Sequence, residues 1–265
     1  MVLDKSTDTT HSHSMRVIRL YTPQDLTSGD EVTLDAVAAN HLVRVLRART
    51  GDALVLFNGA GIDWQCRLLE ADKRRALVRV ECEIDSVPES PLRSVLGLCL
   101  SKGERFDWAI QKATEMGIAH IQPLYSERVD YKVPQDRLEK RMQHWQQIVV
   151  SACEQCGRSA VPQVATPQSL ETWTEQIEAD RKFVLHCVNA STTATDPRPQ
   201  SIALLIGPEG GLTEGEVTHA QEHGFEALTL GPRILRTETA PAVALAILGA
   251  RWGDLEAANS QNARG

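Results

Sequence analysis

The amino-acid sequence predicts an α/β fold, a parallel sheet covered by helices on both faces, preceded by a smaller β-rich domain. Three observations lead to it. Beyond Pro91, apolar runs of strand length alternate with amphipathic helical segments, the rhythm of strand–helix–strand units. Before Asp85 the runs are short and separated by turn signals such as Asn58-Gly59-Ala60-Gly61. Between the two, Val87-Pro88-Glu89-Ser90-Pro91 places two prolines that enforce extended backbone and remove donors, which reads as a linker and the domain boundary.

Taken in order, Met1–Ser14 is polar, without apolar periodicity, and is expected to be a disordered extension, with Met15 as the natural start. Its His11 and His13 are read as surface residues of a tail rather than a metal site. Val17–Tyr21, Ala53–Phe57, Trp64–Leu69 and Ala76–Cys82 are the strands of the first domain, and Ala36–Arg47 is its one helix. Arg44 and Arg47, three apart, are expected to project from one side of that helix. In the second domain Val95–Leu100 is a strand, Ser101-Lys102-Gly103-Glu104 a turn, and Phe106, Ala109, Ile110, Ala113 and Met116 mark a helix ending at Gly117. A strand at Ala119–Leu124 follows, then a long helix with Leu138, Met142, Trp145, Val149, Ala152 and Cys156 as its buried stripe, and a strand at Phe183–His186.

Composition bounds the function. With 265 residues, 42% of them hydrophobic, two domains with real cores are affordable, and no apolar run reaches the roughly 20 residues that would cross a bilayer. The start of the chain lacks a secretory signal pattern, so a cytoplasmic protein with no membrane partner is expected. A net charge of −7 demands no nucleic-acid partner, and any basic surface must be local. Arg16 and Arg19, then Arg44, Arg47 and Arg49, do cluster, as solvated faces also do. The six cysteines form no disulfide-like framework, and the Cys153–Cys156 pair falls on a helix stripe without two further ligands at metal spacing, so core packing is the expected role and no metal is expected.

Two runs carry the most chemistry. In Leu204-Leu205-Ile206-Gly207-Pro208-Glu209-Gly210-Gly211-Leu212-Thr213 a strand stops in a glycine-rich turn, and Thr213 with Glu216 has the spacing of a capping box for a following helix. Neither a Gly-Lys-Ser/Thr ending nor a GxGxxG pattern is present, which argues against phosphate cradling. In Leu228-Thr229-Leu230-Gly231-Pro232-Arg233-Ile234-Leu235-Arg236-Thr237-Glu238-Thr239-Ala240 the construction repeats, with Thr239 as expected N-cap and Pro241 in the first turn. The helix after it, Ala242–Ala250, is small and apolar nearly all round and is expected to be buried within the domain or across a subunit interface. In a buried loop, Arg233 and Arg236 require an anionic partner: bound substrate or RNA phosphate is one candidate, Glu209 or Glu238 the other.

Together with Gln111-Lys112-Ala113-Thr114-Glu115-Met116-Gly117 and Ala152-Cys153-Glu154-Gln155-Cys156-Gly157-Arg158, these two loops resemble the bacterial 16S rRNA (uracil-N3)-methyltransferase family of the SPOUT class, over about Met15 to Leu255. The resemblance implies a small PUA-like β-barrel that binds RNA over residues 15–86, a parallel-sheet SPOUT methyltransferase domain with a C-terminal trefoil knot over 91–255, and a disordered tail over 256–265. It also implies a homodimer that binds S-adenosyl-L-methionine in the knot and methylates N3 of a uridine in 16S rRNA, with the 30S subunit as the expected context. Carried over by position, the cofactor site comprises Leu185, His186, Ile206, Gly207, Gly211, Leu230, Gly231, Leu235, Thr239 and Ala240, with a core or surface role as the alternative for His186. Arg236 and Arg233 are the expected anion-stabilising or phosphate-gripping cations, and Glu209 or Glu238 the carboxylate that orients them or takes the proton. Arg16, Arg19, Arg44 and Arg47 become the expected grip on rRNA phosphates. A SPOUT enzyme acting on a ribose 2′-hydroxyl or another RNA, and a non-catalytic RNA-binding assembly factor, are the competing readings.

Overall fold

The computed structural model describes residues 17–72, 74–129, 132–186 and 197–255. The expectations for Met1–Ser14, Arg16, Cys187 and the 256–265 tail lie outside the described residues. The chain divides into two compact units: residues up to Leu56 with Trp64–Ile84, and Phe57–Asp63 with Asp85 onward.

The first unit is a five-stranded sheet. Its strands are β1 (Arg19–Tyr21), β2 (Glu31–Leu34), β3 (Ala53–Phe57), β4 (Asp63–Ala71) and β5 (Ala76–Ile84), in spatial order β1-β3-β4-β5-β2. Alternation drives it: Ala76, Val78 and Val80 face a core shared with Val32, Leu34, Leu54, Leu56, Cys66 and Leu68. β2, absent from the sequence reading, follows the same rule over only four residues, with Val32 and Leu34 buried and Glu31 and Thr33 exposed. The single helix differs from expectation. Asp35 caps α1 (Ala36–Asn40) by accepting from Val37 N–H and Ala38 N–H, but the chain then widens into a π turn over His41–Val45, where Leu46 N–H reaches the His41 carbonyl. Arg47 sits beyond it in left-handed backbone (φ 55°). Arg44 and Arg47 are therefore both exposed but do not share a helix face.

The second unit is built on β6 (Arg93–Cys99), β7 (His120–Tyr125), β8 (Gln163–Val164), β9 (Gln168–Ser169), β10 (Arg181–Leu185), β11 (Ser201–Ile206) and β12 (Phe225–Leu228). The order is β12-β10-β11-β6-β7-β8 with β9 also on β7, and these pairings are parallel. Continuous apolar strands such as Val95–Cys99 and Ile202–Ile206 are buried along their length, as a sheet covered on both faces requires. Its helices are α2 (Arg105–Glu115), α3 (Leu138–Cys156), α4 (Leu170–Gln176), α5 (Glu214–Glu222) and α6 (Thr239–Trp252). α3 has the boundaries its stripe predicts, and Trp145, Val149 and Ala152 are buried, Trp145 packing on Phe106 of α2 with ring centroids 4.8 Å apart. Cys153 is buried on that face, and desolvation pushes its thiol up to about 12, so it packs as a hydrophobe. β12 lies three residues earlier than the predicted Leu228–Leu230 run. Phe225 and Leu228 point into the core, whereas Thr229 and Leu230 have already left the ladder. β8, β9 and α4 are too short to carry a periodic signal and were not expected.

The predicted linker is anchored to this unit. Arg158, almost wholly buried, donates from Nη1 to the Thr114 and Ile118 carbonyls (2.9 Å each) and from Nε and Nη2 to the Glu89 carboxylate. The arginine thus closes the end of α2 and pins the proline segment. On the sheet itself Gly97 leaves room for Trp173 of α4: a Cβ there would stand 2.4 Å from two ring carbons. Gly97→Ala is expected to destabilise the protein by about 2–3 kcal/mol through overpacking. Urea unfolding checks this, and an unchanged midpoint would contradict the packing assigned to Trp173.

Candidate cofactor and active site

Parallel pairing decides where the two glycine-rich loops emerge. Leu185 stands in register with Leu228, Val184 with Leu205, and Ile206 with Leu98. The carboxyl ends of β10, β11, β12 and β6 are therefore side by side, and the loops leaving them emerge at one edge of the sheet. Ligands of open parallel sheets bind at that edge. The connection from β11 to β12 also passes over β10, so the two glycine-rich loops flank the Leu185–His186 strand end.

The first loop is held rigidly from within and from behind. Gly207 is required because Leu212 folds back onto it, and a Cβ would meet Leu212 Cγ at 2.9 Å. Gly211 takes left-handed backbone (φ 70°) and donates to the Pro208 carbonyl at 2.8 Å. The expected capping box is present: Glu216 N–H donates to Thr213 Oγ1 and Thr213 N–H to Glu216 Oε2 (2.8 Å). Glu216 is buried, and its other oxygen accepts from Glu127 N–H at 2.8 Å, so the charge is satisfied by backbone donors. Arg128 adds hydrogen bonds to the Gly210 and Leu212 carbonyls at 2.9 and 3.3 Å.

The second loop departs from expectation. Its middle is not buried: Arg233 and Arg236 are exposed and Ile234 is 89% exposed, while Leu230 and Leu235 pack on the core. Gly231, in left-handed backbone (φ 87°), and Pro232 carry the segment to the surface, where the guanidinium groups keep their hydration and need no buried anion. Among the described residues neither arginine forms an ion pair. The N-cap of α6 is Glu238 rather than Thr239, without a side-chain cap. The Arg236 carbonyl accepts from Thr239 N–H and Ala240 N–H (2.9 and 3.0 Å) and so supplies the turn that a capping hydroxyl would have made. Pro241 does lie in the first turn, where its missing N–H costs nothing.

Glu209 pairs with neither loop arginine. It accepts from Arg105 Nη1 at 2.6 Å, and the Glu209 bond and charge, followed by Glu238, hold the Arg105 guanidinium above its usual pKa. Arg105 was missed in the sequence, although a cation on the first residue of a helix opposes the macrodipole and is a signal in itself. Arg128 and Glu127, which follow β7, were missed too, since nothing local marks a brace for a loop over 80 residues away.

Of the residues assigned to cofactor binding, Leu185, His186, Ile206, Gly207, Gly211, Leu230, Gly231, Leu235, Thr239 and Ala240 all belong to these strand ends and their loops. His186 is fixed through its backbone, its N–H donating to Leu228 and its carbonyl accepting from Thr229 Oγ1, both at 3.2 Å. The backbone N–H groups of Gly207, Leu230, Gly231 and Leu235 make no hydrogen bond among the described residues. Gly207, Leu230 and Leu235 are partly buried and Gly231 is exposed beside them, and donors left open in this way suit a ligand with a hydrogen-bonding edge, such as an adenine and its ribose.

On the first unit, Arg19 is half-buried in β1, with Arg44 and Arg47 exposed. Arg74 and Arg75, not singled out in the sequence, line a cleft of about 420 Å³ with Tyr21, Gln24, Thr33 and Asp35.

Known proteins agree with this architecture. Residues 88–249 match the RNA methyltransferase domain family, and residues 34–81 match the RNA methyltransferase PUA domain. Ribosomal RNA small subunit methyltransferase E of Buchnera aphidicola subsp. Schizaphis graminum is 31% identical over 91% of this chain and 98% of its own length. A methyltransferase of Legionella pneumophila, solved with bound S-adenosylmethionine, is 38% identical with a TM-score of 0.87, covering 91% of this chain and all of that one. The Neisseria gonorrhoeae ribosomal RNA small subunit methyltransferase E bound to S-adenosyl methionine is 38% identical, with a TM-score of 0.84 over 90% and 99% of the two chains. No described helix is long and apolar enough to cross a membrane. With the parallel sheet, the paired glycine-rich loops and these relatives in agreement, the chain belongs to the ribosomal RNA small subunit methyltransferase E family.

Proposed function

We propose that this protein methylates N3 of a uridine in 16S rRNA, in the cytoplasm, with S-adenosyl-L-methionine as donor and the 30S subunit as substrate. The observation that carries the reading is the set of open backbone donors at Gly207, Leu230, Gly231 and Leu235, which follow the two strands on either side of β10 in a fold whose relatives are solved with that cofactor. The bound cofactor supplies an electrophilic methyl group. The chain's own residues hold it, with Leu185, His186 and Ile206 as the floor and Gly211, Thr239 and Ala240 at the loop ends.

Uridine N3 carries a weakly acidic proton that must leave, and orientation of the two reactants accounts for the largest share of the barrier lowering. Arg236 and Arg233, exposed and without ion pairs among the described residues, stabilise the developing uracil anion or hold the neighbouring phosphate. Glu209 is engaged by Arg105 and serves to position it. Glu238, which makes no hydrogen bond among the described residues, is the carboxylate available for the proton. Two further elements of the reading are a trefoil knot in the C-terminal segment and a homodimer. The outward face of α6, with Ile247 47% exposed beside Val243 and Ala246, fits a subunit interface.

Single-turnover methylation of 30S particles, with the product nucleoside identified by mass, tests the reaction. Arg236→Ala is expected to slow methyl transfer by on the order of 100-fold. Arg105→Ala and Glu209→Ala should give similar, smaller losses that do not add, because they break one pair. Near-normal rates for Arg236→Ala and Glu238→Gln would remove the assigned roles, and a ribose-methylated product would replace the uracil reading with the 2′-hydroxyl one.

The PUA-like domain expected over residues 15–86 is assigned the rRNA grip through Arg19, Arg44, Arg47 and Arg16. Replacing Arg44 and Arg47 by Ala should lower RNA affinity and reduce the salt slope of log K by about one to two, while cofactor affinity is unchanged. A salt slope equal to that of the unmodified protein would locate the phosphate contacts elsewhere.

A further inference from the structure

At the far end of α5 from the cofactor loop, Glu175 of α4 meets His219 and His223. One candidate ligand atom from each lies within 4.8 Å of the others. The two imidazoles are four residues apart at the end of one helix, the spacing that puts both on the same face, and their ring centroids stand 4.4 Å apart.

Three details point to a ligand. His219 Nε2 is buried and has no hydrogen-bond partner, an expensive state for an imidazole nitrogen. Glu175 Oε1 stands 3.8 Å from it, too far for a hydrogen bond. Ligand atoms of a tetrahedral zinc, each about 2.0–2.1 Å from the metal, are roughly 3.3 Å apart, so the gap is about half an ångström from a bridging geometry. Third, His223 Nδ1 lies 2.8 Å from the His219 carbonyl, which can only accept. His223 must therefore carry its proton on Nδ1, and its Nε2 lone pair is free, the outer-shell arrangement that orients metal-binding histidines.

We propose that Glu175, His219 and His223 form a binding site for a zinc-class divalent ion. Two neutral imidazoles and one carboxylate match zinc, with nickel and copper next, and do not suit magnesium or calcium, which prefer oxygen donors. Lys182, whose Nζ donates to the His223 carbonyl at 3.1 Å, is a nearby positive charge and sets the affinity below that of a closed four-ligand site. The ion takes no part in methyl transfer. It ties α4 to the last turn of α5, whose first turn is capped by Thr213 at the edge of the Gly207–Leu212 loop, and so acts as a staple behind the cofactor site.

The test is zinc chloride titration of the tag-free, chelator-treated full chain, by competition with a chromophoric chelator, carrying His11→Ala and His13→Ala so that the N-terminal histidines do not compete. One zinc per chain is expected, together with a rise in melting temperature. His219→Gln and His223→Gln should each weaken binding at least tenfold and abolish the zinc-dependent rise, with Glu175→Gln weakening it less. Melting in chelator identifies variants that remain folded, and His219→Asn stands in if His219→Gln does not. Substoichiometric binding by the parent chain, or binding by folded histidine variants equal to that of the parent, would overturn the site.

Discussion

The parallel register of β10 between β11 and β12 is the constraint on which the rest depends. It places Leu185, Ile206 and Leu228 at one sheet edge and obliges the two glycine-rich loops to leave the core beside each other. A shift of the register would separate loops that are only useful together. The register is specified by burial: Phe183, Val184, Leu204, Leu205, Phe225 and Leu228 have no solvent-facing alternative in a sheet covered on both sides. Gly97, deep in β6, shows how tightly the covering layer fits, since Trp173 occupies the volume of its missing side chain.

The two loops differ in how they are held. The Gly207–Thr213 loop is fixed by the Leu212 fold-back, the Arg128 bonds and a buried glutamate bridging Thr213 and Glu127. A loop braced in this way is preorganised, which is the condition for electrostatic and positional effects to count fully. The Gly231–Glu238 segment is the opposite, an exposed stretch carrying two arginines and the uncovered Ile234. It suits contact with a large partner whose surface completes the site. Arg105 and Glu209 join the two regimes, a surface pair near Glu238 that reaches from α2 to the rigid loop.

Much of this was legible in the sequence where a long periodic pattern or a covalently local motif existed. The α3 stripe, the β6 and β11 runs and the Thr213–Glu216 box are of that kind, because their signal is contained in neighbouring residues. The Gly207, Gly211 and Gly231 positions were legible for the same reason. What was not legible is set by distance in the chain. Arg105 finds Glu209 across 104 residues, and Arg158 finds Glu89 across 69, pairings that only the assembled sheet creates. Whether Arg233 and Arg236 needed an anionic partner depended on burial that the apolar pair between them does not reveal: Ile234 lies outside and Leu235 packs inward, so the condition does not arise. The helix at Ala36 was found, but a π turn costs too little in sequence to be seen, and it moved Arg47 off the helix.

We assign the cofactor site to the open backbone donors that follow β11 and β12, the strands on either side of β10. Hydrogen–deuterium exchange with and without S-adenosyl-L-methionine tests it most directly. Slower exchange in the 206–213 and 229–240 segments, with Leu230, Gly231 and Leu235 most affected and the 17–72 segment unchanged, is expected. Cofactor binding that leaves both loops exchanging as before, or that protects amides at the opposite sheet edge around Arg93 and Ser201, would contradict it.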